Sequence, residues 1–375
     1  MAEDRLIHLR NEIAAIDRQI FELAAKRNEI AEQIGDRKRE LRLPQRDYAQ
    51  EKLVLDRARA LAQEHGLDPN VYEPMVLTLI RASTTIEERG SMSATSRGNG
   101  RRVLVIGGKG KMGGWMLSFL QSQGFTLVSA DPSGPVEGIE SYLDWEPLDL
   151  DTFDAIVVST PLRQTNDTLK QLAARRPSGV VFDVGSLKSP LREGIQALHQ
   201  AGVAVTSIHP MFGPDVELLS GQHVIFIDCE HEEALRYAHA LFEPTTAVRV
   251  DMTLDEHDSL IAYVLGLSHA VNIAFFTALA MSGESAPRLA RMSSTTFDAQ
   301  LGVADKVAHE NPWLYYDIQA LNDFGLGSLD ALQQAVERIR NAVEQRNADE
   351  FVDIMLSGRD YLDGRAPNED VLKAR

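Results

Sequence analysis

Residues 102–124 read RVLVIGGKGKMGGWMLSFLQSQG. A short apolar run is followed by glycines in the pattern Gly108-x-Gly110-x-x-Gly113, and then by an amphipathic stretch of helical period. Glycines in this arrangement permit a tight turn and let the backbone approach a pyrophosphate at the N-terminus of the following helix. The stretch therefore predicts the strand, turn and helix of a dinucleotide-binding fold.

The next apolar run ends at Asp131, about 20 residues after the glycines, where a carboxylate bonds the adenosine ribose and repels a 2′-phosphate. We therefore expect NAD rather than NADP as the cofactor. The expected cofactor-binding residues are those of the glycine-rich turn, this carboxylate and a polar segment after a later strand: Gly108, Gly110, Lys111, Met112, Gly113, Asp131, Ser159, Thr160 and Pro161.

Further apolar runs follow, each rich in β-branched residues and separated from the next by an amphipathic stretch. They read TLVSADP, DAIVVSTP, GVVFDVGS and GVAVTSIHP. Strands that alternate with helices predict a parallel sheet, so residues 102–250 are expected to form an α/β domain of the Rossmann type.

From Thr253 onward the pattern is helical, and residues 251–375 are expected to form an all-α domain. The stretch LIAYVLGLSHAVNIAFFTALAM at 260–281 carries no charge, although Ser, His, Asn and Gly interrupt it. In so acidic a chain we interpret it as a helix that is buried or lies at a subunit interface, rather than as a membrane span.

The overall charge limits the partners of the 375-residue chain. It has 38 Lys and Arg against 55 Asp and Glu, a formal net charge of −17. This field repels nucleic acid and acidic membranes, so neither is expected as a partner, and an anionic substrate must meet local cations. Cys229 is the single cysteine, which excludes an intramolecular disulfide, and we interpret it as structural. No basic-apolar signal segment is present, so a cytoplasmic protein is expected.

The first ninety residues lack a strand pattern and begin with a long helical stripe. Arg27 occupies the one position where that stripe lacks an apolar residue. A cation at an apolar seam costs several kcal/mol unless it is paired, which favours an anion-binding site there; the alternative is an arginine that snorkels to the surface. The stripe consists of Leu6, Leu9, Ile13, Ile16, Ile20, Leu23, Ile30 and Ile34.

Three further features point to the same ligand site. Lys38 lies on the same helix face as Arg27 and within reach of it. Arg10 lies 17 residues earlier, roughly 25 Å away along a helix, so it reaches that ligand only from a second, antiparallel chain. On a later helix, Ser83 and Glu87 continue an apolar stripe with polar groups. Two or more cations, a hydroxyl and a carboxyl group on helices indicate a site that binds a dicarboxylate. The segment has no nucleophile–base pair, so the site is not expected to attack its ligand.

Residues 88–102, ERGSMSATSRGNGRR, have the composition of an exposed connector. We therefore expect a helical domain over residues 1–90, a linker over 91–101, the Rossmann domain over 102–250 and the C-terminal helical domain over 251–375.

The N-terminal helix LRNEIAAIDRQIFELAAKRNEIAEQIGDRK resembles that of the all-helical chorismate mutases, intertwined dimers that convert chorismate to prephenate. The resemblance implies an N-terminal all-α chorismate mutase domain. It implies that chorismate contacts the groups described above and an acidic pair after the first helix: Arg10 of the partner subunit, Arg27, Lys38, Asp47, Glu51, Ser83 and Glu87.

In the mutase family the reaction is a pericyclic rearrangement, so Lys38 and a protonated Glu87 are the implied donors to the breaking ether oxygen, and no acid–base or covalent step is needed. One position departs from the family pattern. Gln50 precedes Glu51 where the family has arginine, and either the mutase is weakened or Arg46, one turn earlier, substitutes.

His209 lies in IHPMFGPD at 208–215, directly after a predicted strand. Pro210 and Pro214 stiffen this loop and Gly213 permits a sharp turn, which argues against a mobile surface histidine. The segments STP, DVGSLKS and HPMFGPD all follow strands, where α/β sheets place their ligands. We interpret the ring as an acceptor of an alcohol proton beside the nicotinamide; a structural histidine is the alternative.

The order GGxGxMG, DVGSLK, HPMFGPD and DEHD resembles the prephenate dehydrogenases over residues 102 to about 320. With the mutase segment in front, the resemblance is to the bifunctional chorismate mutase/prephenate dehydrogenases of tyrosine biosynthesis. It implies NAD-dependent oxidative decarboxylation of prephenate to 4-hydroxyphenylpyruvate, a C-terminal all-α dimerisation domain, a homodimer and tyrosine as a candidate feedback inhibitor.

The dehydrogenase resemblance assigns roles to single residues. His209 matches the catalytic histidine and Ser186 the serine that bonds the same substrate hydroxyl, while Lys188 is a candidate for a substrate carboxylate. His257 and His269 match positions that line the substrate pocket, and histidines of the helical core are the alternative for both.

Lys306 falls where the family has an arginine for a substrate carboxylate, and Arg288 or Arg291 are alternatives. The amino-substituted substrates arogenate and 4-amino-4-deoxyprephenate are therefore alternatives to prephenate. Two other hypotheses compete: a dehydrogenase with a mutase domain that only dimerises or senses tyrosine, and a non-catalytic nucleotide sensor. The retained mutase cations, together with Ser186 and His209, argue against the sensor.

Overall fold

The structure is a computed structural model that describes residues 2–44, 46–95, 97–216 and 219–364. Its first three helices pack together, with the third against each of the other two. As expected, the apolar stripe forms one face of a single first helix of 39 residues. Each stripe residue is between 46% and 67% exposed in the single chain, so the two neighbouring helices leave this face uncovered. The helices are α1 Ala2–Glu40, α2 Tyr48–Glu64 and α3 Pro69–Thr95.

The connector expected over residues 88–102 is wrong in its first part, because α3 continues to Thr95. Glu88 is only 2% exposed, and its carboxylate accepts hydrogen bonds from the backbone N–H of Leu219 at 2.9 Å and from the hydroxyl of Thr246 at 2.7 Å. The end of α3 is therefore bonded to the domain that follows it.

An eight-stranded sheet forms the centre of the chain, in the order β3-β2-β1-β4-β5-β6-β7-β8. All neighbouring strands are parallel except β6 and β7, so the predicted parallel sheet is confirmed through β6, and the last two strands run in the opposite direction. The strands are β1 Arg102–Ile106, β2 Thr126–Ala130, β3 Glu140–Tyr142, β4 Ala155–Val158, β5 Val180–Asp183, β6 Val205–Pro210, β7 His223–Ile227 and β8 Val248–Met252.

Helices cover both faces of the sheet and create two apolar cores. One core holds Met116, Phe119 and Phe242, and the other holds Leu169, Leu172 and Leu198. Because β1, β4, β5 and β6 are parallel, their carboxyl ends share one edge, where ligands bind in sheets of this type. The helices are α4 Lys111–Ser122, α5 Leu162–Arg175, α6 Arg192–Gln200 and α7 Glu232–Phe242.

The C-terminal region is helical, as expected. Its first run, Leu254–Met281, is the one helix among the described residues that is long and apolar enough to cross a membrane by length and composition. Only 11% of its apolar window is buried in the single chain, so the interpretation as a helix buried within its own chain is wrong, and the interpretation as an interface helix stands. The elements are α8 Leu254–Ile261, a π-helical turn Ala262–Leu267, α9 Ser268–Met281, α10 Ala286–Ala290, α11 Thr295–Ala308, α12 Pro312–Ala320, α13 Gly325–Glu344 and α14 Ala348–Asp363.

Candidate active sites

The glycine-rich turn packs against the end of β4. Gly107 has a φ of +87°, and a Cβ on it would lie 2.4 Å from the carbonyl oxygen of Ser159. A Cβ on Gly113 would lie 2.1 Å from the carbonyl oxygen of Gly107. A side chain is thus sterically excluded at both glycines, which leaves backbone N–H groups at the start of α4 to face a phosphate. Lys111 and Met112 form the first turn of that helix.

Asp131 lies at the rim of the same turn and is buried. Its carboxylate accepts hydrogen bonds from the backbone N–H groups of Lys109 at 2.9 Å and Ser133 at 2.8 Å. A carboxylate has about four acceptor sites, so two stay available to ribose hydroxyls. At the neighbouring strand end, Thr160 bonds Thr165 at 3.0 Å, and Pro161 directly precedes α5.

His209 is the penultimate residue of β6 and is 4% exposed. Its Nδ1 lies 2.8 Å from Nε2 of His257, and Nδ1 of His257 lies 2.6 Å from a carboxylate oxygen of Asp258. His257 and Asp258 are fully buried on α8, which begins with a capping box of Thr253 and Glu256. His257 is therefore enclosed between His209 and Asp258, which supports the interpretation as a buried core histidine.

Burial lowers the pKa of His209 well below 6.5, and the nearby His257 and Lys188 lower it further. Burial also lowers the pKa of His257, although its hydrogen bond to Asp258 acts in the opposite direction. Both rings are therefore neutral at pH 7. A neutral imidazole can accept a proton, which an imidazolium cannot.

Lys188 does not face a substrate, and the interpretation of it as a carboxylate-binding residue is wrong. Its side chain is fully buried, and its Nζ donates to Asp183 at 2.8 Å and to the carbonyl oxygen of Ile208 at 3.0 Å. A buried ammonium must be paired in this way. Ser186 lies in the same loop, half-buried, and its hydroxyl forms no hydrogen bond within the described residues.

The pocket residues expected in the C-terminal helices lie in different surroundings. His269 stacks on Tyr315 with ring centroids 4.1 Å apart, and burial lowers its pKa. Lys306 and Arg291 are exposed and form no ion pair within the part of the chain that the structure describes. Arg288 pairs with Glu284 at 2.8 Å on the surface.

In the N-terminal helices, the predicted ligand-binding groups of α1 and α3 lie together. Arg27 donates to the hydroxyl of Ser83 and to the carbonyl oxygen of Leu79, and burial lowers its pKa while the charge of Glu87 opposes this. Lys38 Nζ lies 2.7 Å from a carboxylate oxygen of Glu87. The site therefore combines two cations, a hydroxyl and a carboxylate across two packed helices.

Arg46, the candidate substitute for the missing arginine, lies just before α2. Arg46 forms a two-pronged ion pair with Glu51, at 2.9 and 3.1 Å, and its guanidinium lies over the ring of Tyr48. Asp47 is the exposed N-cap of α2 and accepts from the backbone N–H of Gln50 at 3.0 Å, so the structure gives it a capping role.

Arg10 is exposed on α1 and forms no ion pair within the described residues. Cys229 is half-buried, and burial raises the pKa of its thiol to about 12, which suits a structural cysteine. Among the described residues, no cluster of three His, Cys, Asp or Glu side chains has the arrangement of a metal site.

Comparison with known proteins identifies all three regions. Residues 9–88 match the family model for chorismate mutase type II. Residues 125–251 match that for the nucleotide-binding domain of prephenate dehydrogenase, and residues 253–357 match that for its dimerization domain. A T-protein of Enterobacter agglomerans is 26% identical over 92% of this chain and 90% of its own length. The chain belongs to the bifunctional chorismate mutase/prephenate dehydrogenase family.

Other relatives match one half of this bifunctional enzyme. The chorismate mutase of Methanocaldococcus jannaschii is 31% identical over 86 residues, which are 23% of this chain and 87% of that protein. The crystal structure of prephenate dehydrogenase from Aquifex aeolicus shares the fold, with a TM-score of 0.55 at 20% identity, over 68% of this chain and 97% of that one. The chain therefore combines an isomerase of the mutase type with an oxidoreductase of tyrosine biosynthesis.

NAD is the cofactor of the dehydrogenase half. The glycine-rich turn, the start of α4 and the buried Asp131 fit its pyrophosphate and its unphosphorylated ribose. The glycine-rich stretch itself precedes residues 125–251, so this fit is an observation independent of the family match.

Sequence reasoning missed two residues of the bifunctional enzyme. Asp258 is the last residue of the DEHD motif, and a carboxylate directly after a histidine was its signal. Glu88 had no signal, because it lies in a segment with the composition of a linker.

Proposed function

We propose that His209 is the general base of prephenate oxidation. The observation that carries this role is a neutral, buried imidazole at the carboxyl edge of the sheet, the edge that also carries the dinucleotide turn. Its Nδ1 is engaged by His257, whereas Nε2 forms no hydrogen bond within the described residues. Nε2 is thus the atom that accepts the proton of the ring hydroxyl, and the half-buried Ser186 hydroxyl is the proposed partner of the same oxygen.

Bound NAD supplies the acceptor for the hydride that leaves the hydroxyl-bearing carbon. As the O–H proton passes to His209 and the hydride leaves, the electrons of the O–H bond form a ring carbonyl. The electrons of the bond to the departing carbon dioxide then make the ring aromatic and turn this carbonyl into a phenolate. The phenolate takes the proton back from His209, which gives 4-hydroxyphenylpyruvate. The protein holds the proton on the imidazole, where Asp258 compensates the new positive charge through His257.

In the mutase half, we propose that Arg27 and Lys38 bind and polarise chorismate. Arg27 is fixed by Ser83 and Leu79, and Lys38 by Glu87. A pericyclic step needs only the reactive conformer and donors at the ether oxygen, and two donors on α1 that groups of α3 hold in place meet that need. The Arg46–Glu51 pair takes the place of the family's Arg-Glu sequence.

The proposed assembly is a cytoplasmic homodimer that binds neither nucleic acid nor membrane. The uncovered stripe of α1 and the exposed apolar run Leu254–Met281 support this, because large apolar surfaces mark subunit interfaces. An antiparallel partner helix brings its Arg10 to the Arg27 site. The proposed domains are 1–90, 102–250 and 251–375, and tyrosine is the proposed feedback inhibitor.

Incubating the purified chain with chorismate, with and without NAD, tests the bifunctional assignment. Chorismate should disappear in both samples, and NADH should form only in the second. If NADH forms from added prephenate but not from chorismate, the chain is a dehydrogenase without mutase activity. Activity on neither would support a nucleotide sensor, and faster NADH formation from arogenate would reassign the substrate, the outcome that Lys306 in place of an arginine leaves open.

A further inference from the structure

The catalytic histidine is the first of three buried side chains in a row. His209, His257 and Asp258 are joined by contacts of 2.8 Å and 2.6 Å, and none is more than 4% exposed. Water therefore does not compete for these contacts, and each ring nitrogen along the row must match the group that it faces.

The direction of the hydrogen bonds follows from the carboxylate. A carboxylate only accepts, so the proton of His257 is on Nδ1, facing Asp258. In the neutral ring, Nε2 of His257 then has a lone pair and accepts a hydrogen bond. The donor of that bond is Nδ1 of His209, which must therefore carry a proton. A neutral His209 with its proton on Nδ1 has its lone pair on Nε2. Burial, which lowers the pKa of both rings, supports the neutral state that this reasoning requires.

The carboxylate of Asp258 is itself held from the opposite side. Its oxygens accept from the backbone N–H of Lys188 at 3.0 and 3.1 Å, and from both the N–H and the hydroxyl of Ser189. The side chain of Lys188 is paired with Asp183, so the charged groups packed against the row are this ion pair and Asp258 itself. The carboxylate thus cannot rotate away from His257 without losing several hydrogen bonds.

We propose that His257 and Asp258 are positioning residues of the dehydrogenase, which hold His209 in the tautomer whose Nε2 accepts the substrate proton. This inference rests on the proposed role of His209 as the base. Neither residue touches the substrate; they act by excluding the other tautomer, in which Nε2 carries a proton and cannot act as a base.

The substitution Asp258→Asn should reverse the direction of the hydrogen bonds along the row while leaving most of the packing of the three side chains in place. The amide oxygen can accept from Lys188 and Ser189, while the amide N–H₂ faces His257 and donates to its Nδ1. Both histidines then carry their protons on Nε2. We expect dehydrogenase kcat to fall by about 10³- to 10⁴-fold, the scale seen when a catalytic histidine is held in the wrong tautomer. The Michaelis constants and the mutase rate should change little.

Asp251→Asn is the matched control. Asp251 also lies 2.6 Å from a histidine nitrogen, that of His239, but this pair is on the surface at β8. The control should keep wild-type dehydrogenase kcat. An equal loss in both variants would show that any Asp→Asn change in this domain disturbs the enzyme, and would overturn the proposal.

Nitrogen-15 NMR of histidine-labelled wild-type protein gives a readout that does not depend on folding of the variant. We expect both His209 and His257 as neutral rings protonated on Nδ1, with His209→Asn and His257→Asn chains used to assign the signals. A His209 ring protonated on Nε2, or an Asp258→Asn enzyme with wild-type kcat, would overturn the positioning role. If His209→Asn instead keeps full turnover, the proposed base is wrong, although the NMR result for the tautomers still stands.

Discussion

The carboxylate of Glu88 accepts a hydrogen bond from the backbone N–H of Leu219 at 2.9 Å, and so joins the mutase helix α3 to the segment that follows the His209 loop. The preceding residue, Glu87, pairs with Lys38 in the mutase site. One helical turn therefore contributes to the mutase site and to the domain contact.

Replacing Glu88 with alanine should destabilise the docked domains. The N–H groups of Leu219 and Thr246 would lose their acceptor, at about 1–3 kcal/mol for each buried donor left unsatisfied. Calorimetry should show a lower unfolding temperature, and proteolysis near residue 97 should be faster. Glu243→Gln is the control, because Glu243 bonds Arg97 at an exposed position, where an ion pair contributes about 1 kcal/mol or less. Equal melting of wild type and Glu88→Ala would contradict the contact.

Replacing Asp131 with serine should weaken NAD binding and narrow the preference for NAD over NADP. The change removes an acceptor for the ribose hydroxyls and a charge that repels a 2′-phosphate. Serine still accepts one of the backbone N–H bonds that Asp131 receives, so the turn is kept. Michaelis constants for the two cofactors provide the measurement. Unchanged discrimination would place the ribose contact on another residue.

The shared mutase site predicts complementation between two inactive chains. Arg10→Ala and Arg27→Ala should each lose most mutase activity, because a substrate carboxylate loses its charge-assisted partner. In a mixed dimer one site lacks both arginines and the other is intact. Co-refolding equal amounts should restore roughly a quarter of wild-type activity, since half of the dimers are mixed. If mass analysis shows mixed dimers that stay inactive, Arg10 does not act across the dimer.

The buried position of His209 predicts where the acid limb of the dehydrogenase pH profile lies. The neutral ring is the active form, and a pKa well below 6.5 keeps the ring neutral as the pH falls through that value. The kcat/KM for prephenate should therefore stay on its plateau at pH 6.5 and decline only at lower pH. Rates measured from about pH 5 to about pH 9 give the profile. An acid limb centred at or above 6.5 would mean that the ring is not desolvated as the structure shows.

Local patterns predicted the elements of this fold well, because they depend on neighbouring residues. The stripe from Leu6 to Ile34 forms a single helix, and the turn around Gly108 follows β1 as its glycines require. Their spacing reflects helix period and steric exclusion, which a sequence displays directly.

Contacts between distant segments could not be predicted in the same way. His209 and His257 are 48 residues apart, and their contact depends on how α8 packs against the end of β6. Lys188 was expected from its motif to bind a substrate carboxylate, but it pairs with the buried carboxylate of Asp183. Burial, which the motif does not reveal, decides which group a lysine faces. The small residues around Glu88 suggested a linker, but small residues also suit a helix that packs closely on a second domain. Composition alone therefore could not distinguish the two.

A time course of chorismate with NAD, run in parallel on wild type and His209→Asn, tests the two-site account most directly. Wild type should form one NADH for each chorismate consumed. His209→Asn should consume chorismate at the wild-type rate but accumulate prephenate, with NADH formation slower by about 100-fold or more, the scale of a lost general base. Wild-type NADH formation by His209→Asn, or wild-type protein that leaves chorismate unchanged, would contradict the account.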